Sequence, residues 1–176
     1  MEVRNYSKKQ LRALMRERMA EHVPTAGETA EIWSRLEALE EFRSARTVLM
    51  YMDIDGEVPT RSFIARWAGS KRIAIPVVKG EDIELRLYNP DALTEGYMGI
   101  TEPTDDAPFV SPSEIDLAVI PGIAFTREGA RLGHGKGFYD RMLPMLGCPR
   151  LGVCFDYRIV SSIPTDPWDE FVDGLV

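Results

Sequence analysis

The chain is poor in the residues that most catalytic and metal chemistry needs. Among its 176 residues are only two cysteines and two histidines. Cys148 and Cys154 have no CxxC spacing and no second Cys/His cluster beside them, which excludes the common structural zinc site. Both stand in apolar company and read as reduced thiols in or near the core. His22 and His134 are too isolated for a dyad or a metal cluster. His22 reads as a surface residue, and His134, set between glycines, as a ligand contact rather than a proton-transfer group. No GxSxG occurs and neither cysteine has a nucleophile's setting, so covalent acyl chemistry has no support. The phosphate fingerprints GxxxxGK[ST] and GxGxxG are also missing. No apolar run approaches the length needed to cross a bilayer, and "MEVRNYSKKQL" lacks the apolar stretch of a signal peptide. A soluble cytoplasmic protein with no membrane partner is expected.

With 44% hydrophobic and 28% charged residues, residues 1–176 suit one globular domain with a sizeable core. The formal net charge is −7. That excludes a broad nucleic-acid surface but leaves room for a local basic pocket that takes a phosphorylated small molecule.

Ser7 caps a helix with Leu11, Leu14, Met15 and Met19 at helical spacing, and Thr25 with Glu28 has capping-box spacing ahead of Ile32, Trp33, Leu36 and Leu39. The apolar run 47–52, "TVLMYM", is too short for a helix and reads as a strand covered on both faces. After the turn "DIDGEVPT", Thr60 is placed to cap a third helix bearing Phe63, Ile64 and Trp67, which Gly69 ends. "RIAIPVV" is a strand, "IELRLY" alternates as a half-covered strand, and "DLAVIPG" and "RLGVCF" are further buried strands. Residues 89–112 form a long polar connection, which loop-length statistics favour as a functional flap. Strands alternating with helices predict an α/β fold, three-layer, with a mostly parallel sheet flanked by helices. In such folds ligands bind beyond the carboxyl ends of the strands, where "DIDGEVPT", "PGIAFTREGARLGHGKG" and "FDYR" would all lie.

The segment "RLGHGKGFYDR" carries glycines at 133, 135 and 137, which let main-chain N–H groups turn toward an anion without a Cβ in the way. It leads into a short helix from about Phe138, kinked or ended by Pro144, whose positive end adds to that anion site. Lys136 is a mobile point charge, and Arg131 and Arg141 are forked donors suited to phosphate oxygens. Asp140 makes sense beside a polyphosphate only with a divalent cation between them, so the loop points to a magnesium nucleotide. The alternative is a tight strand-to-helix connection in which Asp140 merely favours the helix start. Lys8 and Arg12, at i and i+4, share one helix face; they either grip another phosphate or form an ordinary solvated basic face.

Together, "SKKQLR", "DGEVPT", "MGITEP", "PGIAFTREGARLGHGKGFYDR" and "FDYRIVSSIPTDPWDEFVD" resemble the 5-formyltetrahydrofolate cyclo-ligase family, in family order over nearly the whole chain. The resemblance implies a fold similar to the ribose-phosphate isomerase and CoA-transferase group. It also implies cyclisation of 5-formyltetrahydrofolate, in free or polyglutamylated form, to 5,10-methenyltetrahydrofolate, with ATP as co-substrate, Mg²⁺ as cofactor, and ADP and phosphate released.

By the same resemblance Lys8, Arg12 and the run Arg131, Leu132, Gly133, His134, Gly135, Lys136, Gly137, Phe138 and Tyr139 bind ATP. Lys136 and Arg131 are the catalytic cations. Glu57, Met98 and Tyr139 contact the folate, and Asp140 and Asp169 hold the metal, Asp169 aligning better than Asp173. No protein nucleophile is needed, because the formyl oxygen itself takes the γ-phosphoryl group. The usual glutamine after "FD" is replaced here by Tyr157-Arg158, and the final strand or tail is expected to be short. A monomer or weak homodimer is expected. A sugar-phosphate isomerase or CoA-transferase-like enzyme on the same scaffold, and a non-catalytic nucleotide-binding regulator, are the alternatives.

Overall fold

A computed structural model describes residues 6–176, apart from the side chain of Met98. Helix α1 (Lys8–Glu21) starts at a complete capping box, with Ser7 accepting from the Gln10 N–H and Gln10 reaching back to Ser7. Thr25 and Glu28 do the same for α2 (Ala26–Ala38). These reciprocal bonds satisfy main-chain donors that a helix start otherwise leaves bare. A five-residue helix α3 (Glu40–Ser44) follows. It is too short to show a period in the sequence, and Lys71 caps it by donating to the carbonyls of Phe42 and Ala45, both at 2.7 Å.

Strands β1 (Thr47–Leu49), β2 (Arg72–Lys79), β3 (Asp82–Leu87), β6 (Leu117–Pro121), β9 (Arg150–Val153) and β10 (Gly174–Leu175) form one sheet in the order β10-β9-β6-β1-β2-β3. Every neighbouring pair is parallel except β2 with β3, joined through the Gly80–Glu81 turn. The expected strand over 47–52 is cut to three residues. Arg72 N–H donates to the Arg46 carbonyl and Met50 N–H to that of Ala74, so the next donor in the parallel ladder falls at Pro76, which has no N–H. Residues 50–52 stay buried but leave the sheet. "RLGVCF" likewise pairs only as far as Val153.

The two faces of the sheet carry alternate residues, as the pleat requires. Val48, Ile73, Ile75, Leu117 and Val119 pack against Trp33, Leu36, Phe42, Phe63 and Ile64 of α2, α3 and α4 (Arg61–Trp67). Leu49, Ala74, Leu85, Ala118 and Ile120 face Met142 of α5 (Phe138–Met142) and Leu143 and Leu146 beyond it. Helices therefore cover both faces of a mostly parallel sheet, as expected. Leu11 and Met15 of α1 close a third cluster over a small hairpin, β7 (Ala124–Phe125) with β8 (Arg131–Leu132).

Thr60 stands at the start of α4 but does not cap it with its side chain. Its hydroxyl and N–H both donate to Asp53 Oδ1, at 2.8 and 2.9 Å, closing the turn after β1 instead. The polar connection over 89–112 is not structureless: it folds into an antiparallel hairpin, β4 (Leu93–Glu95) with β5 (Thr101–Pro103), around a 3-10 turn at Tyr97–Gly99. Both thiols are unpaired, and burial pushes Cys148 up to about 11 and Cys154 up to about 12. Among the described residues no helix is long and apolar enough to cross a membrane.

Asp116, just before β6, accepts the N–H groups of Arg46 and Thr47, both at 2.8 Å, and so joins the starts of β1 and β6. The Thr47 bond chiefly holds its carboxyl below the ordinary 3.8. A depressed folded pKa stabilises the fold above the unfolded value, and the stabilisation is lost as pH falls through the folded one. Asp116→Asn should therefore lower Tm at pH 7, and in thermal melts the gap to the parent protein should narrow below the ordinary carboxyl pKa and close once pH falls below the depressed folded one.

Candidate active site

A cleft of about 1250 Å³ opens at the carboxyl edge of the parallel strands. Its walls are the turn after β1, the glycine loop after β8, Lys8 and Arg12 of α1, the β4–β5 hairpin, and Asp166, Trp168 and Asp169 of the C-terminal tail. A sheet edge of this kind is where α/β folds receive ligands, because strand ends and loop N–H groups converge there.

Two of the three loop glycines adopt positive φ, Gly135 at 91° and Gly137 at 70°. Gly137 immediately precedes α5 and leaves the first N–H groups of that short helix without a side-chain cap. The expected positive φ does not extend to Gly133, whose requirement is closeness: a Cβ there would stand 2.8 Å from the Arg131 guanidinium. Arg12 Nε donates to the Gly133 carbonyl at 2.8 Å, so α1 holds the loop directly. Lys136 is exposed on the cleft wall and has no acidic partner among the described residues.

Two cations of the cleft are paired with its carboxylates. Arg131, its side chain only 5% exposed, donates to Asp140 Oδ1 at 2.9 Å. Lys8 spans Asp166 at 2.7 Å and Asp169 at shorter range. Burial pulls the Lys8 ammonium down, but the two carboxylates outweigh it and hold its pKa above the ordinary range. Asp140 Oδ1 also accepts the Glu170 N–H at 3.4 Å, which sets Asp140 next to the Asp169 segment. Among the described residues no group of three acidic, Cys or His side chains converges as a self-sufficient metal cage. A carboxylate with a second acidic segment beside it fits a different demand: Mg²⁺ keeps several waters and takes one or two carboxylates plus substrate phosphates. Asp140 and Asp169 would be those two, and the buried Arg131 Nε, which has no partner, marks a donor left free beside Asp140.

Glu57 lies at the base of the cleft, its side chain 9% exposed and 3.5 Å from His134 Nε2. Its Oε2 accepts the Ile54 N–H at 3.3 Å, a bond across its own turn. Tyr51 beneath it donates to the Val58 carbonyl at 2.9 Å, and burial, followed by the charges of Glu57 and Asp53, raises its phenol well above the ordinary value. Burial also pushes Tyr139 up, and the Arg131 guanidinium lies 5.2 Å over its ring. Phe138 meets Tyr97 of the hairpin edge-on at 5.7 Å. Tyr97 thus reaches the cleft, while the side chain of Met98 lies outside what is described.

Sequence reasoning missed Asp166, which shares Lys8 with Asp169, and its only sequence signal was the D-x-x-D spacing. It also missed Trp168, 69% exposed at the cleft mouth, and Arg61, which donates to Thr101 Oγ1 of the hairpin at 3.0 Å. Glu102 was missed too. This buried carboxylate of β5 is raised by burial, although it accepts the Val78 and Tyr97 N–H groups.

The fold and cleft place the chain among α/β enzymes whose ligand site is built on loops at the sheet's carboxyl edge. The model of the 5-formyltetrahydrofolate cyclo-ligase family matches residues 1–176. The chain is 34% identical over 141 residues to the 5-formyltetrahydrofolate cyclo-ligase of Haemophilus influenzae, covering 74% of this chain and 75% of that one. It superposes on the NMR structure of Aquifex aeolicus 5,10-methenyltetrahydrofolate synthetase with a TM-score of 0.87, at 32% identity and over 96% of this chain and 88% of that one. A 5,10-methenyltetrahydrofolate synthetase structure from Mycoplasma pneumoniae shares the fold, with a TM-score of 0.73 at 23% identity over 97% and 98% of the two chains. The chain belongs to the 5-formyltetrahydrofolate cyclo-ligase family and is an enzyme of that type.

The loop geometry has a direct test in Gly135→Ala. Its φ of 91° disfavours any side chain, and the new Cβ would meet Arg12 Nη2 at 3.2 Å. Thermal melts should show a loss of about 1–2 kcal/mol, and titration with inorganic tripolyphosphate should show at least a tenfold weaker affinity, on the order of the loss of one charge-assisted contact.

Proposed function

We propose that the protein closes 5-formyltetrahydrofolate to 5,10-methenyltetrahydrofolate with ATP as co-substrate and Mg²⁺ as cofactor. The observation that carries this reading is the convergence in one cleft of a cationic, positive-φ glycine loop, the carboxylates Asp140 and Asp169, and the sequestered Glu57. These are the parts required to bring a polyphosphate against a polar heterocycle.

The chemical difficulty is that the formyl oxygen, as part of an amide, is a poor leaving group. In the proposed sequence that oxygen attacks the γ-phosphorus of ATP and ADP departs. The carbon becomes an imino-phosphate electrophile, N10 adds to it, and loss of phosphate and of the N10 proton leaves the methenyl bridge. No enzyme nucleophile takes part, in keeping with the missing nucleophile motifs. The work of the protein is alignment and charge placement.

Lys136 meets the transferring phosphoryl group as an unpaired point charge. Arg131 contributes through its hold on Asp140 and its free Nε. Lys8 and Arg12 receive the remaining phosphates, and the 133–137 main chain, with His134 beside it, lines their path. Asp140 and Asp169 would hold a divalent cation, which would supply charge neutralisation at the phosphates. Glu57 accepts pterin N–H groups, Tyr139 flanks the same pocket, and the β4–β5 hairpin, with Tyr97 and Met98 at its turn, covers the folate and excludes water.

Incubation with 5-formyltetrahydrofolate, ATP and Mg²⁺, following methenyl absorbance and ADP together, tests the whole reading. Equal amounts of the two products are expected. ADP without methenyl product, or methenyl product without ATP, rejects it. Lys136→Ala should retain the fold and lose about 100-fold in kcat, the scale of one preorganised charge contact to a transition state; near-parental turnover would remove Lys136 from the chemistry. Asp140→Asn should move the Mg²⁺ titration of activity to higher concentration, and an unchanged titration would take Asp140 out of the metal site.

A further inference from the structure

Arg158 ranks first among the largest fully buried side chains, at 2% exposure. Among the described residues it has no carboxylate within ion-pair range. A buried guanidinium without a counter-ion is costly, so its hydrogen bonds are informative. Its Nη2 donates across 102 residues of chain to the carbonyl of Gly56, and its Nε donates to the Tyr157 hydroxyl at 3.2 Å.

Gly56 is the crest of the turn after β1, with φ 82°. It is gripped from two sides: a Cβ there would lie 2.0 Å from Met19 Cε of α1 and 2.8 Å from Arg158 Nη2. Glu57 is the next residue, and its carboxylate is tied back to the Ile54 N–H of the same turn. The direction of that carboxylate is therefore set by where the turn sits. Tyr157 seats Arg158 in its turn. Its ring packs 4.4 Å from His22 and its carbonyl accepts Arg18 Nη1 at 3.3 Å, both at the end of α1. The opposite end of α1 carries Lys8 and Arg12.

We propose that Arg158 is a positioning residue that locks the Asp53–Glu57 turn against α1, and so fixes the Glu57 carboxylate relative to the phosphate-binding loop. The inference rests on the folate reading of Glu57 given above. It assigns to the position after "FDY" a role exerted through main-chain contact, without touching the substrate.

The test compares the parent enzyme with Arg158→Met, which keeps length and burial but removes the donors, and Arg158→Lys, which keeps a cationic donor. Equilibrium titration with 5-formyltetrahydrofolate and steady-state KM values for folate and for ATP are the readouts. Arg158→Met should weaken folate binding and raise the folate KM by about tenfold, the scale of losing a charged donor to a carbonyl, while the ATP KM stays within about twofold. Arg158→Lys should recover most of the loss. Unchanged folate affinity in Arg158→Met, an equal rise in both KM values, or no recovery with lysine overturns the proposal.

Should Arg158→Met fail to fold, Tyr157→Phe removes only the hydroxyl that seats the guanidinium and should raise the folate KM about two- to threefold at constant ATP KM; no rise overturns the proposal equally. A parent enzyme that binds 5-formyltetrahydrofolate without forming methenyl product rejects the cyclisation reading alone, because the binding comparison among variants still decides the role of Arg158.

Discussion

The cleft depends on one constraint: like charges crowded into one cavity must each be neutralised or held apart. Six cationic side chains, Lys8, Arg12, Arg61, Arg131, Lys136 and Arg141, line one cavity. The structure meets this constraint by pairing. Arg131 is held by Asp140 and Lys8 by Asp166 with Asp169, while Arg12 is engaged with the Gly133 carbonyl. Arg141 reaches Asp82 at 3.5 Å at the far side of the loop. Among the described residues, Lys136 alone of the cations of the glycine loop has no acidic partner, which leaves it free to move toward a bound anion.

These pairings also build the fold around the site. The Lys8 clasp joins the start of α1 to a tail more than 150 residues away, so the segment carrying Asp169 is held where Asp140 can meet it. Partly exposed ion pairs contribute little stability by themselves. Their larger effect here is placement, and their partners are exchangeable. Under the proposed function, an arriving phosphate would offer Lys8 and Arg131 a second acceptor, and a cation would offer Asp140 and Asp169 a substitute for the side chains that now neutralise them. Ligand binding at such a site is an exchange of ion pairs, which avoids stripping bare charges of water.

How legible this was in the sequence depended on the range of the interaction. The caps at Ser7 and Thr25, the apolar runs of the central strands and the glycine loop are local patterns, and they lay open in the chain. The end of β1 was not, because it is decided by Pro76, a residue of the neighbouring strand. The hairpin within 89–112 was hidden because its three-residue strands carry mixed polar residues with no period, and their pairing is fixed by the turn between them. Arg158 and Asp166 act on partners about a hundred residues away or more. The sequence marks such residues only as charges in unremarkable company, and nothing local separates a buried guanidinium from a solvated one.

The hairpin itself is better described as a fixed wall than as a free lid. Glu102 of β5 accepts the N–H groups of Tyr97 and of Val78, so one buried carboxylate ties the turn both to its own strand and to β2. Gly96 permits this, since a Cβ there would fall within 1.8 Å of the Glu102 carboxylate. On the other side Arg61 of α4 holds Thr101. With β5 anchored on two sides, opening the whole hairpin would strand a buried carboxylate and two main-chain donors together, a loss of several hydrogen bonds at once. The freedom that remains belongs to the Tyr97–Gly99 turn, where Gly99 has φ 77° and the Tyr97 ring rests edge-on against Phe138. Because Phe138 opens α5 directly after the glycine loop, any movement of that turn is felt first at the loop.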